Sequence, residues 1–134
     1  MARLYAQQVA NPALQVLPER LAELEHSQEA GLFVVEQDAQ LLGTVLVVLC
    51  PDVMFGRCPF AVVENIVVDA AARRRGIGTA LLRAVDAFCQ AADCSKIMLL
   101  SAAERAEAHR FFERAGYAGD RKRGFVKYRS MSGT

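Results

Sequence analysis

Leucines recur at spacings of three and four positions in the first part of the chain, with polar residues between them. This pattern predicts one face of an amphipathic helix that ends near Ser27. A shorter helix is predicted before it, over residues 2–9, and Pro12 interrupts the chain after that helix. The leucines of the pattern are Leu14, Leu17, Leu21 and Leu24.

The pattern that follows is typical of β-strands. Apolar runs rich in β-branched residues occupy 32–36, 41–49 and 60–68, with a polar turn at 37–40 and a loop at 51–59 that contains Pro and Gly. The short connections predict that these strands form an antiparallel meander. Gly43, inside the second run, indicates a bulge or a close approach of another element.

Helical and strand patterns alternate in the rest of the chain. The predicted elements are a helix from Gly76 to about Ala92, a strand at 96–100, a helix at 104–115 closed by Gly116, a strand that starts at Tyr117 and a last strand at 125–129. The first of these helices is predicted from a single apolar stripe along one of its faces.

These elements predict one domain over residues 1–134, with 130–134 as a frayed tail. The strand–helix–strand unit through 60–100 implies a parallel pair beside the meander. The expected fold class is therefore α/β (α+β), with a mixed central sheet of about six strands flanked by helices.

Composition excludes several classes of protein. No run of about 18 apolar residues occurs, and the first residues do not resemble a signal peptide, so we expect a soluble cytoplasmic protein without a membrane partner. The net charge is only +1, the pI is near 7.7 and no aromatic-basic stripe occurs, so no nucleic-acid partner is expected. Four cysteines without a CxxC pair and two histidines do not offer a metal site, and reduced thiols are expected.

Charge is unevenly placed along the chain. Residues 1–60 contain three basic and seven acidic side chains, whereas the remainder contains 13 basic and eight acidic ones. A basic C-terminal half suits an anionic ligand and an acidic N-terminal half suits a cationic one, although a solvated surface accounts for the same asymmetry.

The segment 65–80 contains the features of an anion-binding site. An apolar strand runs through a turn into a helix N-terminus, where the first N–H groups have no partner inside the helix and attract anions. Gly76 and Gly78 leave the backbone accessible, and Arg73, Arg74 and Arg75 add positive charge. The segment is neither a Walker loop nor a GxGxxG fingerprint, because the required Lys and third Gly are absent. A pyrophosphate fits this arrangement.

Two motifs carry a resemblance to a known family. Arg73-x-x-Gly76-x-Gly78 resembles the R/Q-x-x-G-x-G/A signature of the GNAT N-acetyltransferases, and 108–117 is similar to the family's A-x-x-FY-E-x-x-GF helix. The resemblance covers roughly 31–129. The family usually opens with a strand, but 2–7 already look like its first helix. The first strand is therefore expected to be absent, which would make 32–36 an edge strand that a homodimer could close.

The resemblance implies where acetyl-CoA, the co-substrate, would bind. The pantetheine would lie along the strand at Ile66, Val67 and Val68, and a backbone N–H near Val68 would stabilise the tetrahedral oxyanion. Arg73 fills the first position of the signature. The pyrophosphate would bind the backbone N–H groups of the next six residues, which are Arg74, Arg75, Gly76, Ile77, Gly78 and Thr79. Arg105 stands where the family commonly has Asn, and contacts either the coenzyme or only solvent.

The resemblance also assigns the proton transfers. Glu64 is the candidate base, because it sits two residues before Ile66 and should share its sheet face; the alternative is a strand-edge Glu that points to water. Phe112 stands where the family often has a Tyr that protonates the thiolate. Tyr117, Tyr128, Cys58 or a water would then substitute, or the thiolate would leave unassisted.

The implied function is transfer of an acetyl group from acetyl-CoA to a primary amine, by direct attack through a tetrahedral intermediate. The acceptor is a small-molecule or peptide amine, held between the first two helices and the last hairpin. A coenzyme A-binding sensor with little catalysis is one alternative, and an interaction protein that uses its edge strand is another. The acceptor region is charged, but these charges do not identify which amine is acetylated. Its charged residues are Glu19, Glu23, Glu25, Glu29, Arg121, Lys122 and Arg123.

Overall fold

The structure, a computed structural model, describes residues 1–129, so the predicted tail at 130–134 lies outside the described residues. The chain divides into two compact units, Met1–Leu99 and the part from Leu100 onwards, and each is described by itself. The expectation of one domain over the whole chain stays a prediction. In the described part of the chain, no helix is long and apolar enough to span a membrane.

The first unit contains three helices and four strands. The elements are α1 (Ala2–Ala6), α2 (Pro18–Glu25), β1 (Ala30–Gln37), β2 (Gln40–Cys50), β3 (Phe60–Val68), a 3₁₀ turn (Ala70–Ala72), α3 (Ile77–Ala91) and β4 (Ile97–Leu99). Helix α2 begins later than the leucine pattern predicts, because Pro18 has no N–H to donate and its fixed φ suits the first helical turn.

The four strands form one mixed sheet in the order β1-β2-β3-β4. Strands β1, β2 and β3 are antiparallel neighbours, and β3 and β4 are parallel, as the sequence predicts. Among residues 1–129, α1 is the first element and β1 lies at an edge of the sheet, as expected if the family's usual first strand is absent.

The expected count of about six strands is wrong for the described chain, which contains four. No strand starts at Tyr117, and 125–129 are not part of a sheet. The apolar side chains of this last segment face solvent, with Phe125 89% and Tyr128 67% exposed. An alternating apolar pattern favours a strand only where a neighbouring strand offers backbone groups and a surface to pack on.

The core of the first unit lies between the sheet and α3. Val45, Val47 and Val63 of the sheet are buried against Leu81 and Val85 of the helix.

Gly43 permits this close packing. A Cβ added to Gly43 would lie 2.8 Å from Cγ2 of Ile77, and the β1–β2 register shifts next to it. The predicted bulge and the predicted close approach both occur at this residue.

In the second unit, α4 (Ala106–Arg114) ends in a Schellman motif. Gly116 has φ +102°, and its N–H donates to the carbonyl of Glu113 at 3.1 Å. The N–H of Tyr117 donates to the carbonyl of Phe112 at 3.0 Å, and the two rings pack edge to face. The predicted role of Gly116 in ending the helix is confirmed.

Candidate functional site

A β-bulge in β3 forms one side of the candidate site. Leu46 of β2 is opposite Glu64, but Thr44 is opposite Val67, so β3 contains one extra residue between these pairs. Asn65, within this bulge, has φ +57°, a left-handed conformation that Asn tolerates better than most residues.

The bulge changes which residues share a face of the sheet. Ile66 packs against the core under α3. Glu64 is the partner of Leu46, which faces the opposite side of the sheet, towards α2. The prediction that Glu64 and Ile66 point to the same face is therefore wrong, because it assumed a regular alternation through Asn65. Glu64 is also exposed, not buried among the apolar residues of its strand.

Strand β3 has an open edge beyond the bulge. It pairs with β4 only over Ala61–Val63, so among the described strands none borders the later part of β3 on that side. The N–H of Asp69 donates to the carbonyl of Leu42 in β2 at 2.7 Å. Since backbone groups alternate in direction along a strand, those of Val68 and Ile66 point away from β2, to the open edge.

One side chain already uses this edge. Nε2 of Gln8 donates to the carbonyl oxygen of Ile66 at 3.0 Å. The contact confirms the direction of that carbonyl, and it shows that the open edge accepts a hydrogen bond from an amide group.

The N-terminus of α3 lies a short turn after this edge. Gly76 is the N-cap residue, with φ +78°, and no side chain caps the helix. Its first backbone bond runs from the N–H of Ala80 to the carbonyl of Gly76, so the N–H groups of Ile77, Gly78 and Thr79 have no partner within the helix. No atom lies within 4 Å of a Cβ built on Gly76, so an anion has room to approach.

Three arginines surround this N-terminus. Arg73, Arg74 and Arg75 are all exposed, and the ion pairs found in the described chain include none of them. Nη2 of Arg75 donates to Oε1 of Gln37 at 2.7 Å. Arg74 has φ +66°, a strained conformation for a residue with a Cβ. The turn therefore presents positive charge and backbone N–H groups at the same place.

Asp69 holds the start of this turn. Its carboxylate accepts hydrogen bonds from Nη1 of Arg3 at 2.7 Å and from the N–H of Ala71 at 3.0 Å. The Arg3 guanidinium holds the pKa of the Asp69 carboxyl below its usual value, and the N–H of Ala71 acts in the same direction. Oε1 of Gln7 accepts a further hydrogen bond from the N–H of Ala70 at 2.9 Å. Helix α1 thereby fixes the turn between β3 and α3.

A cleft lies on the face of the sheet that α1 and α2 cover. It consists of two adjoining hollows, of about 220 Å³ and 170 Å³. Residues shared by both hollows are Tyr5, Gln15, Val16 and Asn65. Burial raises the pKa of Tyr5, and a hydrogen bond with Thr44 opposes this in part. Glu64 is not among the lining residues, but its chain neighbour Asn65 and its sheet partner Leu46 are, so the candidate base lies beside the cleft.

The first unit brings together most of the predicted site. The predicted base, the strand positions Ile66, Val67 and Val68 and the anion turn at 73–79 all lie along one continuous stretch of it. Cys58 is not part of this group, because it precedes the far end of β3. Ile66 comes six positions after Phe60, or roughly 20 Å along the strand, so Cys58 cannot reach the open edge. Its Sγ instead lies 3.4 Å from Oδ2 of Asp93.

The remaining candidates belong to the second unit. Arg105 is exposed at the N-cap of α4, Tyr117 follows the end of α4, and Tyr128 is exposed in the final segment. Their roles at the coenzyme stay predictions. His109 has a local partner, since its Nε2 lies 2.8 Å from the carbonyl oxygen of Ala102.

Sequence reasoning missed Tyr5, Gln8 and the pair of Arg3 with Asp69. An Asp directly after a strand and before small residues is a signal for a cap, which could have indicated Asp69. The contacts of Arg3 and Gln8 join positions about 60 residues apart, and a single sequence gives no signal for them.

The family model for the acetyltransferase (GNAT) family matches residues 2–117. The chain belongs to this family. The predictions that it is a GNAT protein and an acyltransferase are thereby confirmed. No curated protein sequence matches the chain.

Solved structures share the fold of this GNAT chain. A putative acetyltransferase from Agrobacterium tumefaciens str. C58 is 25% identical, with a TM-score of 0.83 over 96% of this chain and 90% of that one. Glucosamine-6-phosphate N-acetyltransferase from Arabidopsis thaliana is 18% identical, with a TM-score of 0.83 over 95% and 87% of the two chains. AAC(6')-Iy, in complex with the bisubstrate analog CoA-S-monomethyl-acetylneamine, is 20% identical, with a TM-score of 0.73 over 96% and 88%.

Proposed function

We propose that this GNAT protein transfers the acetyl group of acetyl-CoA to a primary amine, by direct attack of the amine on the thioester. The observation that carries the proposal is the continuity between two binding features. The open edge of β3 at Ile66 and Val68 runs through the Asp69 turn into the uncapped N-terminus of α3.

The coenzyme would bind as an added strand that ends in an anion site. Pantetheine amides have the spacing to pair with backbone groups at a free strand edge. The pyrophosphate would accept hydrogen bonds from the first N–H groups of α3, with the guanidinium groups of Arg73, Arg74 and Arg75 around it. The AAC(6')-Iy structure, whose ligand contains coenzyme A, shares this fold and supports the assignment.

Binding of pantetheine requires one local change. The carbonyl of Ile66 accepts from Gln8 in this structure, and a pantetheine amide would need the same acceptor. Gln8 is exposed and lies two residues after the end of α1. Its side chain can therefore rotate away when the coenzyme displaces it.

The amine must lose a proton before it attacks the carbonyl carbon. Glu64 would accept this proton, directly or through a water, because it lies beside both the bulge and the cleft. As the C–N bond forms, negative charge develops on the thioester oxygen. The N–H of Val68 points to the open edge and would stabilise that oxyanion, a contribution of about 3 kcal/mol. The C–S bond then breaks, coenzyme A leaves as a thiolate, and the nitrogen of the intermediate releases its second proton to water or to the thiolate, which leaves a neutral amide.

The donor of a proton to this thiolate is a separate proposal. Phe112 has no proton to give; its ring is buried and packs on Phe111 and Tyr117. Tyr117, Tyr128 and a water remain candidates, and unassisted departure of the thiolate is the other route. The lack of a donor at Phe112 favours the alternative function, a coenzyme A-binding sensor with little catalysis.

Turnover by a Glu64→Gln variant separates the two functions. Release of free coenzyme A thiol is measured with a panel of primary amines, and Glu36→Gln, an exposed glutamate on β1, is the matched control. If the protein is an active transferase, Glu64→Gln should lower kcat about 10²- to 10⁴-fold while acetyl-CoA still binds. Wild-type protein that binds acetyl-CoA but acetylates none of the amines would instead support the sensor.

A further inference from the structure

We infer that the acceptor is a primary amine with a small apolar substituent and no second positive charge, and that this substituent packs in the cleft beside α2. The inference rests on the proposed acetyl transfer, because it names the acceptor class of that same site. It follows from the lining, the charge and the size of the two hollows.

Five of the ten residues that line the smaller hollow are leucines. Leu17, Leu21 and Leu24 contribute from the side of α2, Leu32 from β1 and Leu46 from β2. None of the residues of α2 is fully buried, so its leucine face is only partly covered by the sheet. An apolar group bound here would remove this surface from water, which is the main source of affinity for such ligands.

Apart from Arg20, the polar lining of the cleft is neutral. It consists of the amides of Gln8, Gln15 and Asn65 and the phenol of Tyr5. Among the described residues that line the two hollows, none is Asp or Glu.

The charged side chain in the lining is a cation, Arg20, which forms an ion pair with Glu23 of the same helix. Because the Glu23 carboxylate is already paired with this arginine, an acceptor with several ammonium groups would find no free carboxylate among the described lining residues. The other glutamates of α2, Glu19 and Glu25, are exposed and lie outside the lining. The acidic composition of α2 therefore describes its solvated face and not the surface that an acceptor meets.

The amine itself has a defined place at the bulge. Asn65 lines both hollows, and the neighbouring Glu64 is the sheet partner of Leu46, which belongs to the leucine wall. One ammonium group can thus sit next to the single carboxylate of Glu64, while its substituent extends to the leucines. A second charge placed in the leucine hollow would lie against apolar side chains, which costs free energy unless it finds a partner.

The size of the cleft limits the substituent. Each hollow is smaller than the roughly 300 Å³ at which sites for drug-sized ligands begin. A phenyl or branched alkyl group fits the leucine hollow, which holds about 170 Å³.

The test compares kcat/KM for phenethylamine and isoamylamine with the values for spermidine, kanamycin and glucosamine 6-phosphate at saturating acetyl-CoA. We expect at least a tenfold preference for the two apolar amines. Binding is measured separately, without coenzyme, by the shifts of leucine methyl resonances in NMR spectra on addition of phenethylamine. Methyl groups of Leu21, Leu24 and Leu46 should shift.

Two variants of α2 add the same charge at different places. Leu21→Asp puts a carboxylate into the leucine wall and should reverse the preference from phenethylamine to spermidine. Ala22→Asp puts one on the exposed face of the helix and should leave the preference unchanged. If circular dichroism shows that Leu21→Asp is unfolded, Leu21→Ala replaces it, with an expected loss of about tenfold in kcat/KM for phenethylamine.

The outcomes separate this inference from the proposed function. A tenfold preference for spermidine, kanamycin or the sugar phosphate, or leucine methyl groups that do not shift, would overturn the acceptor class while acetyl transfer stands. Shifts of the leucine methyl groups in a protein that acetylates no amine would refute acetyl transfer and leave the cleft as a site for apolar amines.

Discussion

The hydrogen bond from Gln8 to the carbonyl of Ile66 provides a quantitative test of how the coenzyme binds. If a pantetheine amide replaces the amide of Gln8 at this carbonyl, the bond from Gln8 is lost, and its free energy is subtracted from the binding free energy of acetyl-CoA. Gln8→Ala removes this competitor, so the variant should bind acetyl-CoA more tightly than the wild type.

The size of the effect follows from the strength of that bond. A single hydrogen bond contributes about 0.5–1.5 kcal/mol net, and a change of about 1.4 kcal/mol is tenfold in Kd. Gln8→Ala should therefore lower the Kd of acetyl-CoA about two- to tenfold, and exposure of the Gln8 amide to water favours the smaller value.

Isothermal titration calorimetry of acetyl-CoA measures this change directly. Gln15→Ala is the matched control, because Gln15 also lines both hollows but makes no hydrogen bond that the structure describes to the β3 edge. Equal or weaker binding by Gln8→Ala, with Gln15→Ala like the wild type, would refute the use of the Ile66 carbonyl by pantetheine.

Three further predictions concern stability and reactivity. Gly43→Ala should lower the free energy of unfolding in urea by about 1–3 kcal/mol, because its Cβ would overlap the buried Ile77, whereas Gly119→Ala meets no atom and should change little. The pKa of Asp69 is lowered in the folded state, so its contribution to stability is present above the pKa of about 3.9 in the unfolded chain and is lost as the pH falls through the lower pKa of the folded protein. In Asp69→Asn, a plot of the free energy of unfolding against pH should be flatter in this range. Burial raises the pKa of Cys89 to about 12, so iodoacetamide at pH 8 should modify Cys89 in urea but not in the folded protein, as measured by mass spectrometry.

The sequence was sufficient for the elements whose patterns are local. The apolar stripe of α3, the glycine that ends α4 and the β-rich runs of β1 to β3 each follow from residues close together in the chain, and the structure contains all of them. The anion turn also follows from local chemistry, because two glycines and three arginines adjoin a helix start.

Features that depend on distant contacts or on one unusual backbone angle could not be predicted. The left-handed conformation of Asn65 reverses the alternation of β3, which places Glu64 on the face of the cleft. Asn is also common in loops and turns, so its presence in the sequence does not indicate a bulge. The bond between Arg3 and Asp69 joins two elements that the chain separates by 66 positions. The alternating segment 125–129 favours a strand locally, but strand formation depends on a partner that its own residues do not specify.

The central claim is that acetyl-CoA binds along the edge of β3 with its pyrophosphate at the N-terminus of α3. Calorimetric titration of acetyl-CoA into the wild type, Gly76→Glu and Gly76→Gln tests it most directly. Both variants strain the same left-handed backbone at φ +78°, but only the glutamate places a negative charge at the anion site. The account predicts saturable one-to-one binding by the wild type and a Kd at least about tenfold weaker for Gly76→Glu than for Gly76→Gln. Equal affinity of the two folded variants, or a folded wild type that binds no acetyl-CoA, would contradict it.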